Sequence, residues 1–235
     1  MREHGYHMKS FKTFFQEGYY DPAIFKAIFL KGGPGSGKTF VAKKLGLASM
    51  GFSMINQDYP FEKKMKQLGL DMKMPTSELQ QRDQLRKQTT DVVWSKFDKW
   101  IEQGLGIYMD ITGADRKSVI ADKTAIEAMG YDTAMDFVNT DLETAIARNS
   151  SRERTVDLSI VKSKWNETQQ NVGFYSAAFR GNFFTVDNGK HSDPTPQINF
   201  VYKKLSAWSK QRPTNRIAAK KIEQMKQQVM TRHHK

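Results

Sequence analysis

The segment Gly32-Gly33-Pro34-Gly35-Ser36-Gly37-Lys38-Thr39 carries the most specific chemistry in this chain. Glycines at these positions let the backbone curl so that several N–H groups point inward at phosphate oxygens. Lys38 can reach the β- and γ-phosphates of a nucleoside triphosphate, and the Thr39 hydroxyl can ligate Mg²⁺. The loop residues Gly33, Pro34, Gly35, Ser36 and Gly37 would wrap the phosphates, and the helix that follows would add the positive end of its dipole. The context fits, because an apolar run, Ile24 to Leu30, precedes the loop and helical spacing follows it from Phe40 to Ala48.

Two carboxylates end other apolar runs. Asp110 closes Ile107-Tyr108-Met109, where an acid beside a phosphate loop would hold Mg²⁺ directly or through water; capping a turn is the alternative. Asp58 follows Ile55-Asn56-Gln57 and could take the proton of an attacking hydroxyl across the cleft; a helix cap for residues 59–68 is its alternative. Between two helical stretches lies Arg148-Asn149-Ser150-Ser151-Arg152-Glu153-Arg154, with three arginines in seven residues. Guanidinium forks fit phosphate oxygens in two-point contacts, so this segment could close as a lid over a transferring phosphate. Surface arginines pairing with Glu153 or Asp157 are the simpler reading.

The elements that must position these groups alternate along the chain. Strands are expected at Ile24–Leu30, Phe52–Asn56, Gly106–Met109, Thr133–Val138 and Phe183–Val186, with helices between them. This pattern predicts an α/β fold with a doubly wound, mainly parallel five-stranded sheet, in which ligands sit at the carboxyl ends of the strands. The glycine loop, Asp58 and Asp110 each follow a strand and would converge there. The expected organisation is an N-terminal helical extension over 1–23, carrying the stripe Phe11, Phe14, Phe15 and Tyr19. A core over 24–190 follows, with a helical insert at 61–103 and a lid at 148–156. C-terminal helices with a basic tail fill 191–235. Trp94, Phe97, Trp100 and Trp165 fall at helical spacing and are expected in the core rather than on a base-stacking surface.

Composition bounds the partners. The 235 residues carry a formal net charge of +12, which favours anionic partners. About half of that excess lies after Ser209, where eight cations face the single acid Glu223. The tail suits nucleic acid, with a solvated helix as the alternative. There is no cysteine, which excludes disulfides and thiolate metal sites. No apolar run approaches the roughly 18 residues of a membrane span, and residues 1–7 lack an apolar signal core, so a cytoplasmic protein is expected.

In order along the chain, Gly32–Thr39, Ile55-Asn56-Gln57-Asp58-Tyr59, Met109-Asp110 and Arg148-Asn149-Ser150-Ser151-Arg152 resemble the kinase domain of bacteriophage polynucleotide kinases. The wider group includes the zeta-toxin-like kinases. The resemblance covers roughly residues 24–187 and implies a P-loop kinase core with a lid, using ATP and Mg²⁺, in the host cytoplasm if the protein is phage-encoded. It implies that Lys38 and Thr39 bind ATP phosphates and Mg²⁺, and that Asp58 is the general base. Arg152 would be the lid arginine, supported by Arg148, with Asp110 near the metal or acceptor. In the polynucleotide kinases an acceptor-holding arginine follows shortly after the base; here Tyr59-Pro60-Phe61 stands in that place. Three readings follow. The first is a kinase acting on a nucleic-acid hydroxyl, at a 5′ end or on a hydroxymethylated base. The second is a small-molecule kinase acting on a nucleoside or nucleotide sugar, and the third an ATP-binding module or weak ATPase in a larger assembly.

Overall fold

A computed structural model of the protein describes residues 21–73 and 75–233; the Phe11–Tyr19 stripe lies outside them. The five strands are β1 (Lys26–Lys31), β2 (Ser53–Ile55), β3 (Ile107–Asp110), β4 (Asp132–Asn139) and β5 (Phe183–Asp187). The helices are α1 (Lys38–Leu45), α2 (Asp58–Gln67), α3 (Leu79–Glu102), α4 (Arg116–Ala128), α5 (Leu142–Ser150), α6 (Leu158–Phe179), α7 (Thr195–Ser209) and α8 (Arg216–His233). All five strands are parallel, in the order β2-β3-β1-β4-β5.

Strand alternation divides the interior into two layers. On β1, Ala27 and Phe29 face a core built with the second half of α3, α4, α6 and α8, while Ile28 and Leu30 face one built with α1 and α7. A strand buried on both faces reads as the unbroken apolar run that the sequence displays. A smaller apolar cluster, Phe61, Met65, Leu70, Met72 and Leu85, ties α2 to the first half of α3. The 61–103 segment is therefore divided between this cluster and the main core. Phe97 is buried in that core, Trp100 packs against it, and Trp94 sits edge-on to Phe97 at 5.2 Å with part of its ring exposed.

The strand order places the ligand crevice. The chain leaves β1 toward β2 on one side, whereas from β3 it crosses β1 to reach β4 on the other. The connections thus diverge between the carboxyl ends of β1 and β3, which is where open α/β sheets bind ligands. No described helix is long and apolar enough to cross a membrane.

Two local boundaries differ from the sequence reading. Helix α2 starts at Asp58 rather than Phe61, so the carboxylate lies in its first turn. Helix α5 continues through Ser150, which puts Arg148 in its last turn rather than in the lid loop. The helix is capped by Asp141, whose carboxylate accepts the Thr144 amide at 2.7 Å. Beyond it, the side chain of Asn149 closes the loop from both sides. Its amide donates to the Val156 carbonyl at 2.7 Å and its oxygen accepts the Val156 amide at 3.0 Å. The segment expected as a lid is therefore a short loop pinned at its base.

Candidate active site

The phosphate loop spans the gap between β1 and α1. Gly35 and Gly37 adopt φ of 75° and 85°, conformations that disfavour any side chain. Space is also absent: a Cβ on Gly35 would lie 2.5 Å from the Ala145 carbonyl, and one on Gly37 would lie 2.3 Å from Asn188 Nδ2. Lys38 folds back over the loop, its ammonium 3.2 Å from the Gly32 carbonyl and 3.5 Å from that of Gly33. Burial pushes the Lys38 ammonium below the usual lysine range; Asp110 and Asp58 oppose that shift, and Arg152 adds to it. A polyanionic phosphate arriving there would restore the charged form.

Three residues hold the loop from behind. Arg148 Nη1 donates to the carbonyls of Gly35 at 3.2 Å and Ser36 at 3.4 Å. Buried Asn188 donates to the Ser36 carbonyl at 2.7 Å. The Trp165 indole N–H donates to Thr140 at 2.8 Å, and its ring would meet a Cβ on Gly33 at 3.5 Å. The Ser36 N–H donates within the loop to the Gly33 carbonyl at 3.3 Å, which leaves the N–H groups of Gly35, Gly37 and Lys38 for a ligand.

Asp110 and Thr39 meet at the carboxyl end of β3. The Thr39 hydroxyl donates to Asp110 Oδ2 at 3.4 Å, and Asn56 Nδ2 reaches the same oxygen at 3.1 Å. Among the described residues no cluster of three or more His, Cys, Asp or Glu could hold a metal alone. One carboxylate and one hydroxyl beside a phosphate site nevertheless suit Mg²⁺, which is commonly held by a single carboxylate together with substrate phosphates. Asn56 does a second job: its Oδ1 accepts the Tyr59 amide at 2.8 Å, fixing the start of α2 and so the place of Asp58.

A cavity of about 630 Å³ opens from this centre. It is lined by Lys38, Thr39, Asp110, Asp58 and Arg152, and farther out by Arg86, Glu62 and Arg154. The cavity thus brings together five of the expected chemical residues. Arg148 does not line it and acts on the loop from outside. Sequence reading missed Asn56, Arg86, Arg154 and Asn188 as site residues. Asn56 and Arg154 lay inside motifs already singled out, whereas Arg86 is one polar residue among many on α3. Asn188 follows β5 and carried the weak signal of a polar residue at a strand's carboxyl end.

Arg154 donates to Asp58 Oδ1 at 3.2 Å and to Glu62 Oε1 at 2.7 Å, and Lys66 pairs with Glu153. These ion pairs tie the arginine-rich loop to α2. Both Arg154 and Arg86 lie over the ring of buried Phe61, with guanidinium carbons 5.8 Å and 4.2 Å from its centroid.

This fold is a P-loop α/β fold of the kinase type. Residues 28–174, more than half of the chain, match the AAA domain, and the chain belongs to that family. No curated protein sequence matches it. Among solved structures it is similar to a chain from the PezAT chromosomal toxin–antitoxin system of Streptococcus pneumoniae. That match has 11% identity, covers 89% of this chain and 98% of that one, and has a TM-score of 0.53. It is also similar to a candidate kinase from Chloroflexus aurantiacus, at 13% identity over 78% of this chain and 97% of that one, with a TM-score of 0.52. Deoxyadenosine kinase from M. mycoides is similar at 18% identity over 76% and 98% of the two chains, with a TM-score of 0.45. At these identities the likeness is one of fold.

Proposed function

We propose that this protein is an ATP-dependent kinase that transfers the γ-phosphoryl group to a hydroxyl acceptor. The observation that carries the proposal is the cavity in which Lys38, Thr39, Asp110, Asp58 and Arg152 share one wall-to-wall space. The loop amides and Lys38 hold the β- and γ-phosphates. Thr39 and Asp110 are the residues that would hold Mg²⁺, whose charge offsets that of the phosphates. Asp58 accepts the proton as the acceptor oxygen bonds to the γ-phosphorus. The bond from that phosphorus to the bridging oxygen breaks, and ADP leaves. Arg152 faces the charge spread over the transferring oxygens.

For the acceptor, a small hydroxylated molecule has more support than a nucleic acid. The cavity is bounded by the ion pairs between α2 and the lid, and the basic C-terminal segment is not among its lining residues. That acid-poor segment suits nucleic acid as a partner, but it lies outside the cavity.

A screen of nucleosides, nucleotide sugars, sugars and 5′-hydroxyl or hydroxymethylated oligonucleotides with labelled Mg-ATP tests the proposal, run beside Lys38→Ala. Label is expected on at least one acceptor hydroxyl with the wild type and on none with the variant. ATP binding with no label on any acceptor would instead indicate an ATP-binding module.

A further inference from the structure

We infer that the chain carries a nucleic-acid docking surface at the amino edge of its sheet, distinct from the catalytic cavity. Between Asp193 and Glu223 the sequence contains no acidic residue. In that interval Lys203, Lys210, Arg212, Arg216 and Lys220 are exposed, and among the described residues none of them makes an ion pair or side-chain hydrogen bond. Uncompensated charge of one sign is a standing attraction for a polyanion.

The fold fixes where this charge lies. Lys26 and Asp132, the first residues of β1 and β4, pair at 2.8 Å. Trp208 stacks over the Lys26 ammonium at 4.9 Å. Thr214 and Asn215 donate their amides to Asp132 at 2.8 and 3.1 Å, and Lys221 donates to the Met129 carbonyl at 3.1 Å. The stretch from Lys210 to Lys220 is thus bolted to the amino ends of the strands. The phosphate loop lies at the carboxyl end of β1, about 20 Å away for a strand of this length. A strand bound at the amino edge would not pass through the cavity, so this surface tethers and does not present a reacting hydroxyl.

Nucleic acid fits better than a lipid surface. The apolar stripe of α8, with Ala218, Ile222 and Met225, is already packed on the core. Among the described side chains of α8 the exposed large apolar residues are Ile217 and Met230, about 140° apart around the helix, so they form no continuous apolar face to insert.

The test is fluorescence anisotropy of a labelled 20-base-pair DNA duplex with 5′-phosphates, added to the full chain without nucleotide. Binding is expected to weaken roughly 150- to 500-fold between 50 and 200 mM salt, as neutralisation of about four to five phosphates demands. Replacing Arg212 and Arg216 by Gln should lower the salt slope by about two. Replacing Lys210, Arg212, Arg216 and Lys220 by Glu should abolish binding while ATP affinity and melting temperature stay unchanged. Wild-type DNA affinity in the glutamate variant, or no binding of duplex or single strand at 50 mM salt, overturns the inference. So does binding only to phosphatidylserine vesicles. Because no phosphoryl transfer is read, either result leaves the kinase proposal standing.

Discussion

Arg154 of the lid and Asp58 of α2 meet across the mouth of the cavity, Nη1 to Oδ1, at 3.2 Å. Arg86 approaches the same oxygen at 3.7 Å, and Glu62 anchors Arg154 at 2.7 Å. Both guanidiniums therefore fall on one carboxylate oxygen, and Oδ2 has no protein partner among the described residues. A carboxylate held in this way presents one defined oxygen to an acceptor. Arg154→Gln is expected to lower kcat roughly 10- to 100-fold through loss of that orientation, with little change in KM for ATP. Steady-state kinetics on the acceptor found by screening checks this. An unchanged kcat with a raised KM for ATP would place Arg154 on the donor side instead. The side chain of Asp58 is 60% exposed, so the wild-type rate should also decline with added salt.

Asn188 predicts a coupling between the loop after β5 and nucleotide binding. Its amide is the buried donor to the Ser36 carbonyl, and its backbone N–H bonds Asn139 at 2.9 Å. Asn188→Ala leaves the Ser36 carbonyl only the longer contact from Arg148 Nη1 at 3.4 Å, at a cost of about 1 kcal/mol. Urea unfolding should register that loss, and calorimetry should show weaker ATP binding. Full stability with weaker binding would mean that the residue touches the nucleotide directly.

Asp136 predicts a pH-dependent stability with no bearing on catalysis. It stands on β4 opposite Leu30 of β1 and Phe184 of β5, fully buried, with no hydrogen-bond partner for either oxygen. Burial pushes its carboxyl up to about 7. Below the unfolded value near 3.8 the group is neutral in both states. As pH rises from there toward 7, only the folded chain must keep the proton, so stability falls and then levels off above 7. The full effect is on the order of 4 kcal/mol. Asp136→Asn should flatten this dependence, so that urea midpoints of variant and wild type diverge from pH 5 to 8. Parallel curves would contradict the account.

Gly35→Ala predicts loss of the phosphate site through sterics alone. The position needs φ of 75°, and its Cβ would lie within 2.5 Å of backbone at Ala145. Expected are a destabilisation of about 1–3 kcal/mol and no measurable ATP binding. Normal ATP affinity in this variant would show that the loop has another bound conformation.

The sequence made the sheet legible because most strands are apolar runs between polar breaks, and because the central β1 and β3, buried on both faces, leave no competing pattern. It also made the candidate phosphate loop stand out, since Gly32 to Thr39 is contiguous and its geometry is dictated by glycine. Asp58 and the arginine segment stood out singly, but their contacts with each other were hidden for a physical reason. Asp58, Arg86 and Arg154 come from three separated segments, and only the packing of α2 on α3 through Phe61 brings them together. Spacing in one dimension does not encode that packing. The role of Arg148 was misplaced by a helix boundary: two further residues of α5 turn its side chain onto the phosphate loop. The basic tail was visible as composition, but its location at the far edge of the sheet depends on Asp132 accepting Thr214 and Asn215.

The central claim is that Asp58 activates a hydroxyl in a site whose nucleotide is bound by other residues. Asp58→Asn, compared with wild type for both Mg-ATP affinity and transfer of labelled phosphate to the acceptor, tests it most directly. The account predicts unchanged ATP affinity and a loss of transfer of at least roughly 100-fold, the upper part of the range for removal of a general base. Transfer at the wild-type rate by Asp58→Asn would contradict it.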